Sequence, residues 1–250
     1  MTEFKVFRFD PEKDKFSRFE SYQVPWEKGM TVLEGLIYIF DNLDGSLSFR
    51  SSCRAAVCGS CAMHITTGFA LGENGKYRLA CNTLIESLVK QGSGIITIQP
   101  LAHLLVYKDL VVDMTNFFKN YESIKPYLIP NEPIPAKEFI QSPSERKKID
   151  GAIDCILCGA CYGSCPVAGT NPDYAGPHSI LKTLRFYNDS RDTGKKERLN
   201  LIGNNYGLFR CHSVFNCQIV CPKKLDPGDA IAQMKKRVIW SMIKQCLGFS

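Results

Sequence analysis

The chain has 250 residues, 44% apolar and 22% charged, room for about two domains with cores of their own and too apolar for disorder to be expected. No apolar run reaches the ~18 residues of a membrane-spanning helix, and the opening MTEFKVFRFDPEKD lacks the features of a secretory leader or transit peptide. The formal charge of +6 counts every cysteine as neutral, and the Lys and Arg residues are scattered, not gathered on an aromatic-rich basic face, which argues against a nucleic-acid-binding module.

Residues 3–9 and 18–24, rich in Phe, Val and Tyr, read as strands. Thr31-Val32-Leu33-Glu34 is a capping box that opens a helix carrying Leu36, Ile37 and Phe40. The small, glycine-containing stretch 51–61 reads as a loop, and 62–67 and 95–98 return to strand character. Strand–strand–helix–loop–strand is a small α+β arrangement. A division after residue 105 gives an N-terminal domain, 1–105, and a C-terminal domain, 106–250.

Residues 108–121 read as a helix, and five of the thirteen prolines between 126 and 143 mark an extended connector. Ser142-Pro143-Ser144-Glu145 starts another helix, with a cap, proline at the first position and glutamate at the third. Lys195-Lys196-Glu197-Arg198 reads as a solvated turn. Asp226-Pro227 starts the last helix, where Ile231, Met234, Val238 and Met242 form a stripe expected in the core.

The chain has twelve cysteines. Without an export signal, metal binding is a better reading of them than disulfides. Cys53-x4-Cys58-x2-Cys61, with Cys81 further on, has the plant-type [2Fe–2S] spacing. Its loop residues are small, so backbone N–H groups can approach the sulfurs. Zinc is the alternative for this array, although zinc favours paired C-x2-C knuckles.

Cys155, Cys158, Cys161 and Cys165-Pro166 form C-x2-C-x2-C-x3-C-P, the run used for cubane clusters, whose fourth cysteine serves the neighbouring cluster. The second run, Cys211, Cys217 and Cys221-Pro222, has Val214 where the template places a cysteine. Pairing across the runs assigns Cys155, Cys158, Cys161 and Cys221 to a [4Fe–4S] cluster. Cys165, Cys211 and Cys217 remain for a [3Fe–4S] cluster, with Val214 at its bare corner. Three such oxidised clusters with their thiolates contribute about −6, so the loaded chain sits near neutrality. Cys246 lies outside the arrays and reads as a buried or free structural thiol. His64, His103 and His178 read as structural or solvated, while His212, next to Cys211, is a candidate neighbour of a cluster.

These arrays occur among longer matching stretches: SCRAAVCGSCAM at 52–63, PLAHLLVYKDLVVDMTNFF at 100–118, CILCGACYGSCP, NPDYAGP, NDSRDTGKKER and RCHSVFNCQIVCPK. Nearly the whole chain resembles the iron–sulfur subunit of succinate dehydrogenase and fumarate reductase. The resemblance implies a β-grasp, plant-type ferredoxin-like domain followed by an all-helical bacterial-ferredoxin-like domain. It also implies electron transfer between the FAD of a partner flavoprotein, which holds the substrate site, and a membrane quinone (menaquinone or ubiquinone). No catalytic residue is expected on this chain.

By position, the resemblance places Pro166, Thr170, His212 and Val214 in the quinone pocket, with Lys235 helping to orient the quinone. It implies one or more membrane anchor subunits, with or without haem b. It also implies a peripheral location on the cytoplasmic face of a prokaryotic plasma membrane. Two departures stand out. Nineteen residues separate Cys61 from Cys81, with Gly72-Glu73-Asn74-Gly75 as an expected hairpin insertion. Thr170 stands where many succinate dehydrogenases carry tryptophan, so the direction of catalysis stays open.

Overall fold

The computed structural model describes residues 1–67, 76–92, 94–130 and 133–248; the expected hairpin at Gly72–Gly75 lies outside them. The chain divides into two compact units, Met1–Met114 with Ile156–Ser164, and Thr115–Cys155 with Cys165–Ser250. The first unit therefore runs past residue 105 and takes in a second stretch of chain.

In the first unit, strands β1 (Thr2–Arg8), β2 (Arg18–Val24), β3 (Ala62–Thr67), β4 (Lys76–Leu79) and β5 (Ile95–Gln99) form one sheet in the order β2-β1-β5-β3-β4. The β1–β5 pair is parallel and the other pairs are antiparallel. Strand β1 alternates buried and half-buried residues, which presents Phe4 and Val6 to the core. Helix α1 (Val32–Asn42) adds Val32, Leu33, Leu36 and Ile39 to the same core cluster. Each such burial contributes about 1.5–3 kcal/mol. The capping box read at Thr31 and Glu34 is formed. Gly35 is required by close approach: a β-carbon there would lie 2.5 Å from the Phe4 ring. The short helix α2 (Ile85–Val89) buries Ile85 and Leu88.

The helix expected over 108–121 is corrected by the structure. Strands β6 (Val106–Lys108) and β7 (Val111–Val112) form a hairpin, and helix begins only at Thr115. Val111 and Val112 fit a pleated ladder, and Asp109 turns the chain with φ 47°. The Asp109 carboxylate accepts from the amides of Phe9 (3.0 Å) and Ser48 (2.9 Å) and pairs with buried Arg8 at 3.0 Å.

The second unit is helical. Helices α3 (Thr115–Glu122) and α4 (Pro143–Lys147) precede α5 (Ala160–Gly163), which belongs to the first unit. Then come α6 (Pro166–Thr170), α7 (Gly176–Asn188), α8 (Lys195–Ile202), α9 (Asn216–Ile219) and α10 (Pro227–Cys246). The caps read at Ser142 and Asp226 are formed. Helices α7, α8 and α10 pack together, burying Ile180, Leu199, Ile202, Ile231, Met234 and Val238. Met242, expected in that stripe, is instead exposed.

The solvated turn expected at 195–198 is instead the first turn of α8, and Arg198 is wholly buried. Its guanidinium bridges both oxygens of buried Asp192 (3.1 and 2.6 Å) and donates to the carbonyls of Ile124, Lys125 and Tyr127. Asp192 also accepts from the amides of Ile129 and Gly194. A fully bonded buried pair thus ties the start of the proline-rich connector to α8. His178 is also buried, stacked on Phe117 at 3.8 Å with Nε2 3.0 Å from the Phe117 carbonyl.

Candidate metal centres

The first cysteine array is positioned by the sheet. Ala62 pairs with Leu79 across β3–β4, and the amide of Ala80 donates to the Cys61 carbonyl at 3.0 Å. This register brings Cys81, in the 3-10 turn Ala80–Asn82, beside Cys61 at the start of β3. In the preceding loop, the amides of Ala55, Val57 and Cys58 point at Cys53 Sγ from 3.4, 3.4 and 3.3 Å. The Cys53 amide points at Cys58 Sγ from 3.5 Å. Arg54 and Ala56 adopt φ of 54° and 57°, and this reversal turns successive N–H groups inward to form an anion-binding nest.

The thiols respond to these surroundings. Hydrogen bonds from Ser60 and from the Cys53 amide pull the Cys58 thiol down to about 6, which favours the thiolate a metal requires. Burial pushes the Cys61 thiol up to about 11, with Cys81 and Cys58 close enough to act on it. The loop supplies donors to sulfur and a place for negative charge, as a [2Fe–2S] cluster requires.

Cys165, Cys211 and Cys217 converge within the second unit, lining one small cavity of about 20 Å³ together with Tyr174 and Val214. The amides of Ala168 and Val167, at the start of α6, address Cys165, and the Ser213 amide addresses Cys211 Sγ at 3.4 Å. Burial and the mutual proximity of the three thiols push Cys217 up to about 12. Three thiolates this close would repel one another unless a cation lay among them. The Tyr174 hydroxyl is buried with no completed hydrogen bond, although its ionisation is suppressed by burial and then by Cys211, Cys165 and Cys217. A buried donor without an acceptor, facing three sulfurs, fits a cluster carrying negative charge.

For the remaining set, Cys158 and Cys161 belong to the first unit and Cys155 and Cys221 to the second. Leu157 takes φ 53° beside Cys158, and Ser213 and Phe215 take 57° and 65° in the Cys211–Cys217 loop. Five of the nine non-glycine residues with positive φ among the described residues therefore lie in the cysteine loops. Backbone strain gathers in the loops that carry the cysteines. Among the described residues, no group of three or more His, Cys, Asp and Glu side chains is placed to hold a single metal ion.

Comparison with known proteins places these loops in a family. Residues 3–119 match the model of a 2Fe-2S iron-sulfur cluster binding domain, and residues 151–225 that of a 4Fe-4S dicluster domain. Over 238 residues the chain is 40% identical to the succinate dehydrogenase iron-sulfur subunit of Paracoccus denitrificans, covering 94% of this chain and 87% of that one. The chain belongs to the succinate dehydrogenase iron–sulfur subunit family. The succinate dehydrogenase [ubiquinone] iron-sulfur subunit 1, mitochondrial, of Oryza sativa subsp. japonica is 43% identical over 238 residues, covering 93% and 80% of the two chains. Among solved structures, the Mycobacterium smegmatis Sdh1 complex in the apo form matches with a TM-score of 0.80 at 25% identity, covering 95% of each chain.

In this family member, three of the five residues read as a quinone pocket share one cavity. Pro166, His212 and Val214 are exposed and line the cavity that holds Cys165, Cys211 and Cys217. Thr170 is exposed on α6, its hydroxyl bonded back to the Pro166 and Val167 carbonyls. Lys235 Nζ donates to the Cys211 carbonyl at 3.0 Å, which ties α10 to the ligand loop. Tyr174, which lines this cavity, was not a sequence candidate; its one signal is its place in the NPDYAGP stretch. Cys246, read as a buried or free structural thiol, is free and exposed on α10. No helix of the described residues is long and apolar enough to cross a membrane.

Proposed function

We propose that this chain is the electron-carrying subunit of a succinate:quinone oxidoreductase, working as a succinate dehydrogenase or fumarate reductase. Its first unit is read as a β-grasp ferredoxin-like domain and its second as a bacterial-ferredoxin-like helical domain. The partners are a flavoprotein whose FAD meets succinate or fumarate, and membrane anchor subunits that hold this chain peripherally at the cytoplasmic face. The observation that carries the reading is Val214, half exposed at 51% on the rim of the cavity lined by Cys165, Cys211 and Cys217.

When bound, iron–sulfur clusters supply reversible one-electron transfer. Cys53, Cys58, Cys61 and Cys81 would hold the [2Fe–2S] cluster, with the N–H nest around Cys53 orienting its sulfurs. Cys155, Cys158, Cys161 and Cys221 would hold the [4Fe–4S] cluster. Cys165, Cys211 and Cys217 would hold the [3Fe–4S] cluster, and Val214 denies its open corner a fourth thiolate. The buried Tyr174 hydroxyl, close enough to Cys211, Cys165 and Cys217 to feel their charge, would donate to a cluster sulfur. Exposed Pro166, Thr170 and His212, with Lys235 tethered to Cys211, would form the protein side of the quinone pocket.

Iron and acid-labile sulfide analysis with EPR of the air-oxidised protein tests the reading. About 9 iron atoms per chain and a [3Fe–4S] signal are expected. Stoichiometric zinc, or the absence of that signal, would reverse it.

A further inference from the structure

A broad cavity lies apart from the cysteine loops. Helices α7, α8 and α10 frame a groove of about 600 Å³ that receives five cations: Lys195, Lys196, Lys236, Arg237 and Lys244. No carboxylate lines it, and none of the five forms an ion pair among the described residues. Tyr187 forms part of its floor, with Arg237 over the ring at 4.7 Å and Lys195 at 5.9 Å. This packing holds two cations near each other against their mutual repulsion. Such a concentration of unpaired positive charge in one concavity calls for a polyanionic ligand.

The adjoining surface narrows the class. Trp240 lines the groove and is 61% exposed. Ile239, Met242, Ile243 and Leu247 are exposed on or just beyond the same end of α10. Lysine and arginine beside exposed tryptophan and aliphatic side chains is the pattern of a helix seated at a bilayer surface. A soluble anion would use the cations but leave this apolar rim in water.

We propose that the groove between α7, α8 and the C-terminal half of α10 binds the phosphate headgroup of an anionic phospholipid. Trp240 and its aliphatic neighbours would rest in the headgroup region, giving the chain a lipid contact separate from the [3Fe–4S] cavity. The proposal does not rest on the cluster assignments.

The test is co-sedimentation of the full chain, loaded with its clusters, with phosphatidylcholine vesicles with and without phosphatidylglycerol. Binding is expected only with phosphatidylglycerol, weakening as salt rises. The pair Lys236→Glu with Lys244→Glu should weaken it by on the order of tenfold or more. Trp240→Ala should weaken it without changing the salt dependence. An unchanged visible cluster spectrum would show that these exposed-site variants still fold.

Binding to both vesicle types alike, or binding indifferent to charge reversal, would overturn the proposal. Full displacement by inorganic phosphate would reassign the groove to a free anion. If an acidic partner protein is the occupant, Lys236 and Lys244 will be shielded from an amine-modifying reagent in the lipid-free assembled complex. That result too would overturn it.

Discussion

A β-carbon on Gly59 would stand 2.8 Å from the Cα of Cys158 and 2.9 Å from the Ile156 carbonyl oxygen. The loop presenting the first cysteine array and the start of the second array are therefore in backbone contact within one unit. Gly59 also has φ +74°, where a side chain is strained. Gly59→Ala should cost about 1–3 kcal/mol or more and diminish the visible absorption and EPR of the [2Fe–2S] cluster. Wild-type cluster content and thermal stability in that variant would show that the contact relaxes freely.

Val214→Cys should supply the missing thiolate and convert the [3Fe–4S] cluster to [4Fe–4S]. The added negative ligand should lower the midpoint potential and slow quinone turnover. EPR and redox titration check this; an unchanged signal with the new cysteine confirmed by mass would count against the ligand pairing.

Tyr174→Phe removes a buried hydroxyl that has no completed bond in the protein alone. Folding stability should change by no more than about 1 kcal/mol, since little bonding is lost. The midpoint potential of the [3Fe–4S] cluster should fall, because a donor to a ligand sulfur stabilises the more negative reduced state. An EPR-monitored titration that superimposes on wild type would remove Tyr174 from the site.

Arg198→Ala would leave Asp192 charged and buried, and three carbonyls without their donor. A loss of about 3–5 kcal/mol is expected. Arg198→Lys should recover only part of it, because an ammonium cannot reproduce the bidentate fork. Urea unfolding measures both; a loss no larger than that of exposed Lys196→Ala would refute the clasp.

Burial pushes the His178 imidazole down to about 3 from an ordinary 6.5. The unfolded chain therefore takes up a proton below about 6.5 that the folded chain refuses, so stability is complete above that pH and is lost as pH falls toward 3. Between about pH 6.5 and pH 5 the loss should be about 2 kcal/mol. In His178→Gln the acid slope of urea-unfolding stability should flatten; an unaltered slope would assign it to other groups.

Much was legible in sequence because the chemistry is local. Cys53-x4-Cys58-x2-Cys61 and the 155–165 run announce their ligands by spacing, since one tight loop must supply several thiolates. The capping boxes at Thr31 and Ser142 are equally local. The hairpin at 106–112 was not legible, because Val111 and Val112 within a helix-like apolar pattern become strand only through pairing with Val106 and the turn at Asp109. Arg198 was misread for the same reason: its partners lie on the connector and on the approach to α8, and a charge run does not reveal them.

By itself the sequence determined the order of the cysteine arrays, the family, and the residue standing where a fourth thiolate is absent. Tertiary structure decided what surrounds those thiolates. Positive-φ residues turned amides onto Cys53, strand register carried Cys81 to Cys61, and packing buried Tyr174 facing Cys165, Cys211 and Cys217. The physical reason is range. Ligand spacing is written along a few residues of chain, whereas burial, hydrogen-bond donation and local field depend on neighbours that only folding brings near.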